Sequence, residues 1–331
     1  MQNKDAFSES GYWGFYKKYS KIECCFAESI GGCSGNISSA HSLQKIGILD
    51  QIEDHREGGK KIYSLENWIY DKSGKNIIDF KLVGKKSASI FKGFCDKHDI
   101  EIFAPIEQQP LTLTDEQLFL YYYRGFAHSH HNVEEQCKFK EYILTRYPVP
   151  SQPYLYRQYV DLTLEYRALK DICSVSKVMK IQLNKMLNSK DYSTMQHYYR
   201  VIPYKRITCS QRIVAPYTYS GISLKRWESI SQVMLTIIPD VSRTIILFSY
   251  FNDDIKGIQF MDEIKMLNDN QFTHAISSIL LYSGMNTFFA PSLWDSLDQY
   301  KKAAIIDDIN YLVYYGLAHH GFYHSKVDLF D

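Results

Sequence analysis

Two cysteine–histidine pairs in the first hundred residues are the side chains best suited to chemistry. Cys33 and His41 lie in GGCSGNISSAHSLQ, and Cys95 and His98 lie in GFCDKH. A glycine closely precedes each cysteine, which is typical of a tight turn that directs backbone amides at a thiolate. Zinc takes four such ligands in a tetrahedron, commonly as two pairs from separate turns. The spacing therefore predicts a structural Zn²⁺ site with four ligands: Cys33, His41, Cys95 and His98.

Other ligand sets fit the same stretch of sequence. Seven residues separate Cys33 from His41, which is a wider interval than zinc ligand pairs usually have. Cys24 and Cys25 lie nearby and are alternatives for one of the ligands. A cysteine can also serve as a small buried hydrophobic residue without any metal. That role suits the cysteines in helix or strand patterns: Cys137, Cys173 and Cys209.

The composition is that of a globular protein with more than one core. The chain has 331 residues, of which 45% are hydrophobic and 23% are charged, and this length exceeds the usual size of one domain. The net charge of +1 gives no overall basic field of the kind expected for a nucleic-acid-binding protein. Because we find no apolar run of ~18 residues and no apolar leader, we expect no membrane association and a cytoplasmic location. Seven cysteines without regular spacing agree with a reducing compartment.

Two long helices are predicted in the middle of the chain. Thr114 and Gln117 form a capping-box pattern, and apolar residues at helical spacing follow from 115 to 146. Three prolines between 148 and 153 end this helix, because proline lacks the amide donor and clashes with the preceding turn. A second helix with a broad apolar stripe is predicted from about 154 to 187.

Strands are predicted on both sides of the two long helices. The strands before the helices lie at 62–70 and 76–84, separated by the turn DKSGK. Those after them lie at 198–204, 207–218, 233–239 and 243–251, and the last two form a hairpin with a three-residue loop. Helical segments are predicted near 258–267, 271–283, 292–305 and 306–319.

These elements predict an α+β protein in three parts. A small zinc-binding module occupies 1–112, and the long helical pair occupies 113–190. The remaining residues, 191–331, form an α+β domain with a mixed β-sheet and C-terminal helices.

The first third of the chain resembles treble-clef zinc modules related to HNH endonucleases. In those modules, a first cysteine turn leads into a strand that ends in a histidine, and a second turn with Cys-x2-Cys or Cys-x2-His opens a helix. CSGNISSAHSLQ resembles the first half and FCDKHDIEIFAPIE resembles the second, over about residues 20–110. The stretch KKSASIFKGFCDKHDIEIFAPIE is also similar to uncharacterised bacterial proteins, some of them placed in phage-defence gene sets. The resemblance implies a treble-clef-like N-terminal module.

The resemblance also implies a second use for His41. The first turn has one cysteine where the family has a Cys-x2-Cys pair. If His41 binds zinc, that strand has no histidine left as a general base for hydrolysis. If Cys24 or Cys25 binds zinc instead, His41 is free to activate water, with Asp99 and Glu107 as candidate ligands of a Mg²⁺ ion. The chain would then be an HNH-like metal-dependent nuclease.

A third candidate site lies in the first long helix. In YYYRGFAHSHHNVEEQ, five residues separate Arg124 from His130. This spacing resembles the Arg-x4–6-His motif of HEPN-type ribonucleases, which implies action on the phosphate and 2′-hydroxyl of RNA at a helical dimer interface. Three histidines within four positions are also compatible with a polar helix face.

We expect the chain to be a zinc-stabilised structural or interaction subunit in a nucleic-acid-linked system, which the resemblance places in antiphage defence. Its expected partner is another protein or a second copy of the chain, with nucleic acid as a further candidate and no membrane. The HNH-like nuclease and the HEPN-like ribonuclease are the alternatives. A zinc-bound His41 favours the interaction subunit, whereas a free His41 beside carboxylates favours the HNH-like nuclease. Arg124 and His130 meeting across a dimer axis would favour the ribonuclease.

Overall fold

The fold is known from a computed structural model of the chain. The structure describes residues 9–70, 76–147, 149, 151, 153–213, 216–224, 232–283, 286–315 and 321–331. Helices and strands both occur in quantity, and the α+β class predicted from the sequence is confirmed. The cluster of cysteine and histidine side chains near the N-terminus fits a small metal module.

The structure describes nine α-helices. They are α1 (Glu9–Tyr19), α2 (Ile48–Ile52), α3 (Asp96–Glu107), α4 (Asp115–Arg146), α5 (Pro153–Ser189), α6 (Ile255–Met266), α7 (Asp269–Ser283), α8 (Pro291–Ser296) and α9 (Gln299–Tyr315). None of the described helices is both long enough and apolar enough to cross a lipid bilayer.

The strands form one large antiparallel sheet and one short pair. They are β1 (Ala40–His41), β2 (Asp54–Arg56), β3 (Gly59–Tyr70), β4 (Asn76–Gly84), β5 (Ile90–Phe91), β6 (Met195–Pro203), β7 (Ile207–Arg212), β8 (Met234–Asp240), β9 (Arg243–Phe251) and β10 (Thr287–Phe289). The sheet has the order β2-β3-β10-β7-β8-β9-β6, with β4 paired to β3, and β1 pairs with β5. The hairpin of β8 and β9 joins Met234 to Ser249 and Asp240 to Arg243.

The chain divides into two compact units that interleave in sequence. The first unit contains residues 1–40, 91–103 and 127–190, and the second contains 41–90, 104–126 and 191–331. Both α3 and α4 therefore contribute residues to each unit. The predicted domain boundaries at 112 and 190 remain a prediction.

Each unit has its own apolar packing. In the first unit, the rings of Tyr19 and Tyr142 stack with their centroids 3.9 Å apart, and Phe139 is buried against Tyr16. In the second unit, the core forms between the sheet and the helices that follow it. That core includes Leu235, Ile237, Ile246 and Phe248 of the sheet and Phe260, Ile264, Phe272 and Ile276 of α6 and α7.

The start of α4 follows the sequence prediction with one change in detail. The Thr114 hydroxyl accepts the N–H of Gln117 at 3.3 Å, as expected for a capping box. The Gln117 side chain, however, accepts the N–H of Leu113 at 2.9 Å and not that of Thr114. Leu113 has a φ of 58°, so the chain turns there and brings its amide within reach of Gln117.

The C-terminal helices differ from the prediction of two adjoining segments at 292–305 and 306–319. The structure has the short α8 and the longer α9, with a break at Leu297 and Asp298. A carboxylate oxygen of Asp298 accepts the N–H groups of Tyr300 and Lys301, each at 2.8 Å. This bonding caps the start of α9 and gives the break its physical cause.

Candidate metal centre

Three cysteines and one histidine of the first unit come together around one point. The ligand atoms of Cys25, Cys33, Cys95 and His98 all lie within 4.8 Å of one another. The Nδ1 atom of His98 is 3.2 Å from Sγ of Cys25 and 3.6 Å from Sγ of Cys33. Tetrahedral Zn–S and Zn–N bonds of about 2.3 and 2.0 Å separate neighbouring ligand atoms by roughly 3.5–3.8 Å. The arrangement therefore has the dimensions of a metal site.

His98 is held with one particular nitrogen directed at the sulfur atoms. Its Nε2 atom lies 2.9 Å from the carbonyl oxygen of Gly31. Because a carbonyl only accepts, the proton of the neutral ring belongs on Nε2, and Nδ1 presents its lone pair to the cysteines. Metal-binding histidines commonly make this kind of outer hydrogen bond, which fixes both the tautomer and the ring orientation.

The loop that carries Cys33 depends on glycine. Gly31 has a φ of 81°, a left-handed conformation that a residue with a Cβ adopts at a cost. This conformation lies just before Cys33 and sets the position of the carbonyl that binds His98. The same glycine thus shapes the loop and supports the histidine.

Backbone hydrogen bonds bring the three cysteine segments together. Ile37 forms a bridge with Cys95, and the amide of Asp96 donates to the carbonyl of Asn36 at 3.0 Å. The amide of Phe26 donates to the carbonyl of Gly93 at 2.7 Å. The first interaction aligns the loop after Cys33 with the turn at Cys95, and the second places Cys25 beside that turn.

Helix α5 fixes the segment after Cys25 from the other side. The Asn184 side-chain amide donates to the carbonyl of Phe26 at 2.9 Å and to the Ser29 hydroxyl at 2.8 Å. The ammonium group of Lys180 lies 5.4 Å from the centre of the Phe26 ring. The cysteine segment is therefore anchored by a helix of its own unit.

The three thiols have different acidities. Burial alone would raise the pKa of Cys95, but hydrogen bonds from the backbone of His98 and from Ser34 lower it to about 7. Burial raises the pKa of Cys25 to about 12, and burial also raises the pKa of Cys33. At neutral pH only Cys95 has substantial thiolate character without a cation. A divalent metal that binds as a trithiolate must therefore displace protons from Cys25 and Cys33.

The chain matches no protein-family model, no curated protein and no solved structure. The resemblance to treble-clef and HNH modules consequently rests on the quoted sequence stretches, and the metal centre rests on its own geometry.

His41 is not a member of this cluster and belongs to the second unit. The structure groups Cys25, and neither Cys24 nor His41, with the other three side chains among the residues it describes. The Nδ1 atom of His41 donates to the carbonyl oxygen of Ala88 at 2.9 Å, which leaves Nε2 as an acceptor. Burial lowers the pKa of His41, and the positive charges of Lys45 and Arg124 lower it further.

The two acidic residues named with His41 lie in different surroundings. Asp99 belongs to the first unit, where its carboxylate is 3.4 Å from the Ser38 hydroxyl. Glu107 belongs to the second unit, where it accepts from the Arg124 guanidinium at 2.7 Å. Of the two, only Glu107 shares a compact unit with His41.

Arg124 and His130 occupy different faces of α4. Six helical residues turn through about 600°, so the two side chains leave the helix roughly 120° apart. Arg124 is 2% exposed and pairs with Glu107, whereas the Nδ1 atom of His130 lies 2.9 Å from the Ser176 hydroxyl. The ribonuclease hypothesis requires a dimer and remains a prediction.

Proposed function

We propose that this chain binds one Zn²⁺ ion through Cys25, Cys33, Cys95 and His98, and that the ion has a structural role. The observation that carries the proposal is the orientation of His98, whose Nδ1 atom faces two sulfur atoms while Nε2 bonds to Gly31. Four protein ligands complete a tetrahedron and leave no position for water or substrate, which is typical of structural zinc.

The donor set supports zinc over harder cations. Three thiolates and one imidazole are soft or borderline ligands, which suit Zn²⁺, whereas Mg²⁺ and Ca²⁺ take oxygen ligands. Of the four side chains, Cys25, Cys95 and His98 are buried and Cys33 is exposed, so the proposed site lies at the surface of its unit.

A structural ion suits an interaction subunit. The ion would join the segment at Cys25 and Cys33 to the start of α3, and so fix a surface made of short loops. We propose that this surface binds another protein or a second copy of the chain, within a nucleic-acid-linked system. The near-zero net charge agrees with a protein partner, since it provides no general attraction for phosphates. The assignment to antiphage defence rests on the sequence resemblance alone.

Elemental analysis of the purified protein tests the zinc site. We expect about one zinc per wild-type chain, close to none for Cys33→Ser, and wild-type content for the matched control Cys137→Ser, because Cys137 lies outside the cluster. His41→Gln should also retain zinc. Less than half an equivalent in the wild type, without exposure to a chelator, would refute the proposal. Loss of zinc in His41→Gln would instead assign His41 to the ligand set.

We propose a nuclease activity as the second candidate function, because His41 has the features of a general base. Its Nδ1 proton is held by Ala88, its Nε2 atom is an acceptor, and its lowered pKa keeps the ring neutral at pH 7. Of Asp99 and Glu107, Glu107 is the one in the same unit, although its pairing with Arg124 competes with any Mg²⁺ ion.

Cleavage assays on DNA and RNA with Mg²⁺ or Mn²⁺ distinguish this candidate from the interaction subunit. Activity in the wild type that His41→Ala abolishes, at unchanged zinc content, is the expected result for a nuclease. A wild-type protein that cleaves neither nucleic acid with either ion would refute the nuclease candidate.

A further inference from the structure

A groove in the second unit has features that neither proposed function uses. One cavity of about 410 Å³ has walls from the turn at Tyr219 and from the segment at Phe322 and His324. A second cavity of about 670 Å³ shares Tyr219 with the first and extends along the first turn of α7. We refer to these two adjoining cavities as the aromatic groove.

Three rings pack closely at the first cavity. The centroid of Tyr219 lies 5.2 Å from Phe322 and 5.1 Å from His324, and Phe322 lies 5.2 Å from His324. His324 also stacks on His274, at 6.2 Å, and His274 lines the second cavity. The rings therefore form a continuous aromatic surface along both cavities.

Hydrogen bonds hold one wall of the groove in place. The Gly221 amide donates to the Thr218 carbonyl at 2.9 Å and closes a tight turn. The carboxylate of Glu263 accepts from the amide of Ser220 at 2.6 Å and from its hydroxyl at 2.8 Å. This wall is thus fixed before any ligand binds, which lowers the entropic cost of binding.

A buried carboxylate positions the opposite wall. Asp308 of α9 is fully buried and accepts from the hydroxyls of Tyr323 and Ser325 and from the amide of Lys326, each at 2.8 Å. The two walls approach each other at two glycines: a Cβ added at Gly221 would lie 3.9 Å from the Cα of Gly321, an ordinary van der Waals distance.

The acidic residues that line the described part of the groove are Asp269, Asp328 and Asp331, and the Lys205 ammonium donates to the backbone oxygen of Asp331 at 2.9 Å. Asp328 accepts from the hydroxyls of Thr273 and Ser277 and from the amide of Phe330, so its partners among the described residues are neutral donors. Asp269 lies 3.5 Å from Arg200, whose guanidinium also donates to two backbone carbonyls. Neither lysine nor arginine occurs among the described residues that line the two cavities.

We propose that the aromatic groove binds an organic cation, namely a protonated amine or a guanidinium on a flexible chain. Aromatic faces attract such cations through the ring quadrupole, and Asp328 supplies the opposite charge. Because Phe322 lines one cavity and Asp328 lines the other, a ligand that contacts both needs a chain between its cationic groups or beside them. The cation belongs either to a free polyamine or to a lysine or arginine of a partner peptide. This proposal does not depend on the zinc site or on nuclease activity.

Isothermal titration of the full-length, zinc-loaded protein tests the proposal with two probes: spermidine and a blocked peptide that contains arginine. We expect saturable binding of one probe per chain. Phe322→Leu, which removes the ring and keeps an apolar side chain, and Asp328→Asn, which removes the charge, should each raise the Kd about three- to thirtyfold. The control Tyr300→Leu removes a ring that is exposed and outside the groove, and should leave the Kd unchanged.

The results of the titrations distinguish a free polyamine from a protein partner, and they also show when the proposal is wrong. Binding of spermidine alone assigns the groove to a free polyamine, and binding of the peptide alone assigns it to a protein partner. Failure of both probes to bind in the millimolar range would overturn the proposal, and so would benzoate binding as tightly as either cation. Each variant is compared by its thermal unfolding midpoint, and Phe322→Leu decides the test if Asp328→Asn fails to fold.

Discussion

At the scale of single residues, the hydrogen bond between His98 and Gly31 is the feature that most supports the candidate metal centre. It fixes the histidine tautomer, and through it the nitrogen that faces the cysteines. The carbonyl that accepts this bond belongs to a residue with a left-handed backbone. A substitution at Gly31 should therefore change the affinity for a metal, although Gly31 itself is not a ligand.

We predict that Gly31→Ala lowers zinc affinity about 10- to 100-fold, because a Cβ disfavours the left-handed backbone and shifts the carbonyl that orients His98. Competition with a chromophoric chelator measures the affinity. The matched control is Gly58→Ala, since Gly58 has a φ of 79° and lies in the second unit. An equal loss of affinity in both variants would mean that general destabilisation, and not the position of the carbonyl, is responsible.

A second residue-scale prediction concerns His197 of β6. Burial lowers its pKa from 6.5 to about 4, although nearby Asp115 acts in the opposite direction. Between those values the unfolded chain binds a proton that the folded chain does not, so the free energy of unfolding falls as the pH falls. The free energy of unfolding should fall less between pH 7 and pH 5 in His197→Gln than in the wild type. We predict that the two falls differ by about 1–2 kcal/mol.

Urea unfolding of the wild type and the variant at both pH values measures this difference. The replacement of exposed His55 by Gln is the control, and it should leave the pH dependence as in the wild type. A variant with the same pH dependence as the wild type would show that His197 does not remain neutral in the folded protein.

Cys95 and His98, two members of the candidate cluster, were predictable from the sequence for a local reason. Cys95 and His98 are three residues apart at the start of a helix, so their proximity follows from the chain itself. Whether Cys25 or His41 joins the cluster depends on hydrogen bonds between residues that are far apart in the sequence. The bond from Phe26 to Gly93 places Cys25 at the site, and the bond to Ala88 holds His41 in the other unit. No local pattern in the sequence encodes either bond.

At the scale of helices and strands, the ends of α4 were predictable because they depend on neighbouring residues. The Thr114 cap starts the helix, and prolines follow its end. The break between α8 and α9 was missed because the apolar periodicity continues across it, while the aspartate that caps α9 resembles an ordinary surface residue. The capping interactions therefore explain why the start of α4 was predicted and why the break before α9 was missed.

Helix α4 also makes one unusually close contact with the sheet. At Gly125, an added Cβ would lie 2.4 Å from Oγ of Ser210 and 2.6 Å from Cε of Met234. We predict that Gly125→Ala destabilises the protein by about 1–3 kcal/mol, because two buried side chains must move within a packed interior. This loss should exceed the gain of about 1 kcal/mol in helix propensity.

The matched substitution is Gly14→Ala in α1, where no heavy atom of the described residues, apart from the helix's own backbone, lies within 4 Å of the added Cβ. There the helix propensity acts alone, and the variant should be more stable than the wild type by about 0.5–1 kcal/mol. Chemical denaturation of both variants compares them directly. Stabilisation by both alanines would contradict the close packing of α4 on β7 and β8.

At the scale of the whole molecule, we expect the two interleaved units to respond differently when a bound metal is removed. The loops around Cys25, Cys33 and Cys95 contain few regular hydrogen bonds, whereas β8 and β9 lie inside the sheet of the second unit. We predict that a zinc chelator increases amide hydrogen exchange in 24–38 and 91–98 and leaves β8 and β9 protected. Hydrogen-exchange mass spectrometry measures both regions in one experiment.

The Cys33→Ser variant provides the control for chelation, since it should show the same exchange pattern without any chelator. An equal loss of protection in β8 and β9 would mean that the ion stabilises the entire chain. An unchanged pattern in 24–38 would show that the loops keep their structure without the ion.

The sequence positions of the four ligands also set an order of events during synthesis. The loop from Cys25 to His98 spans 73 residues and is complete before the ribosome has made α4, α5 or most of the sheet. An ion captured by the nascent chain would close that loop early and shorten the conformational search for the segments that follow. The zinc available during translation, and not only the zinc available to the finished protein, would then determine what fraction of the molecules folds correctly.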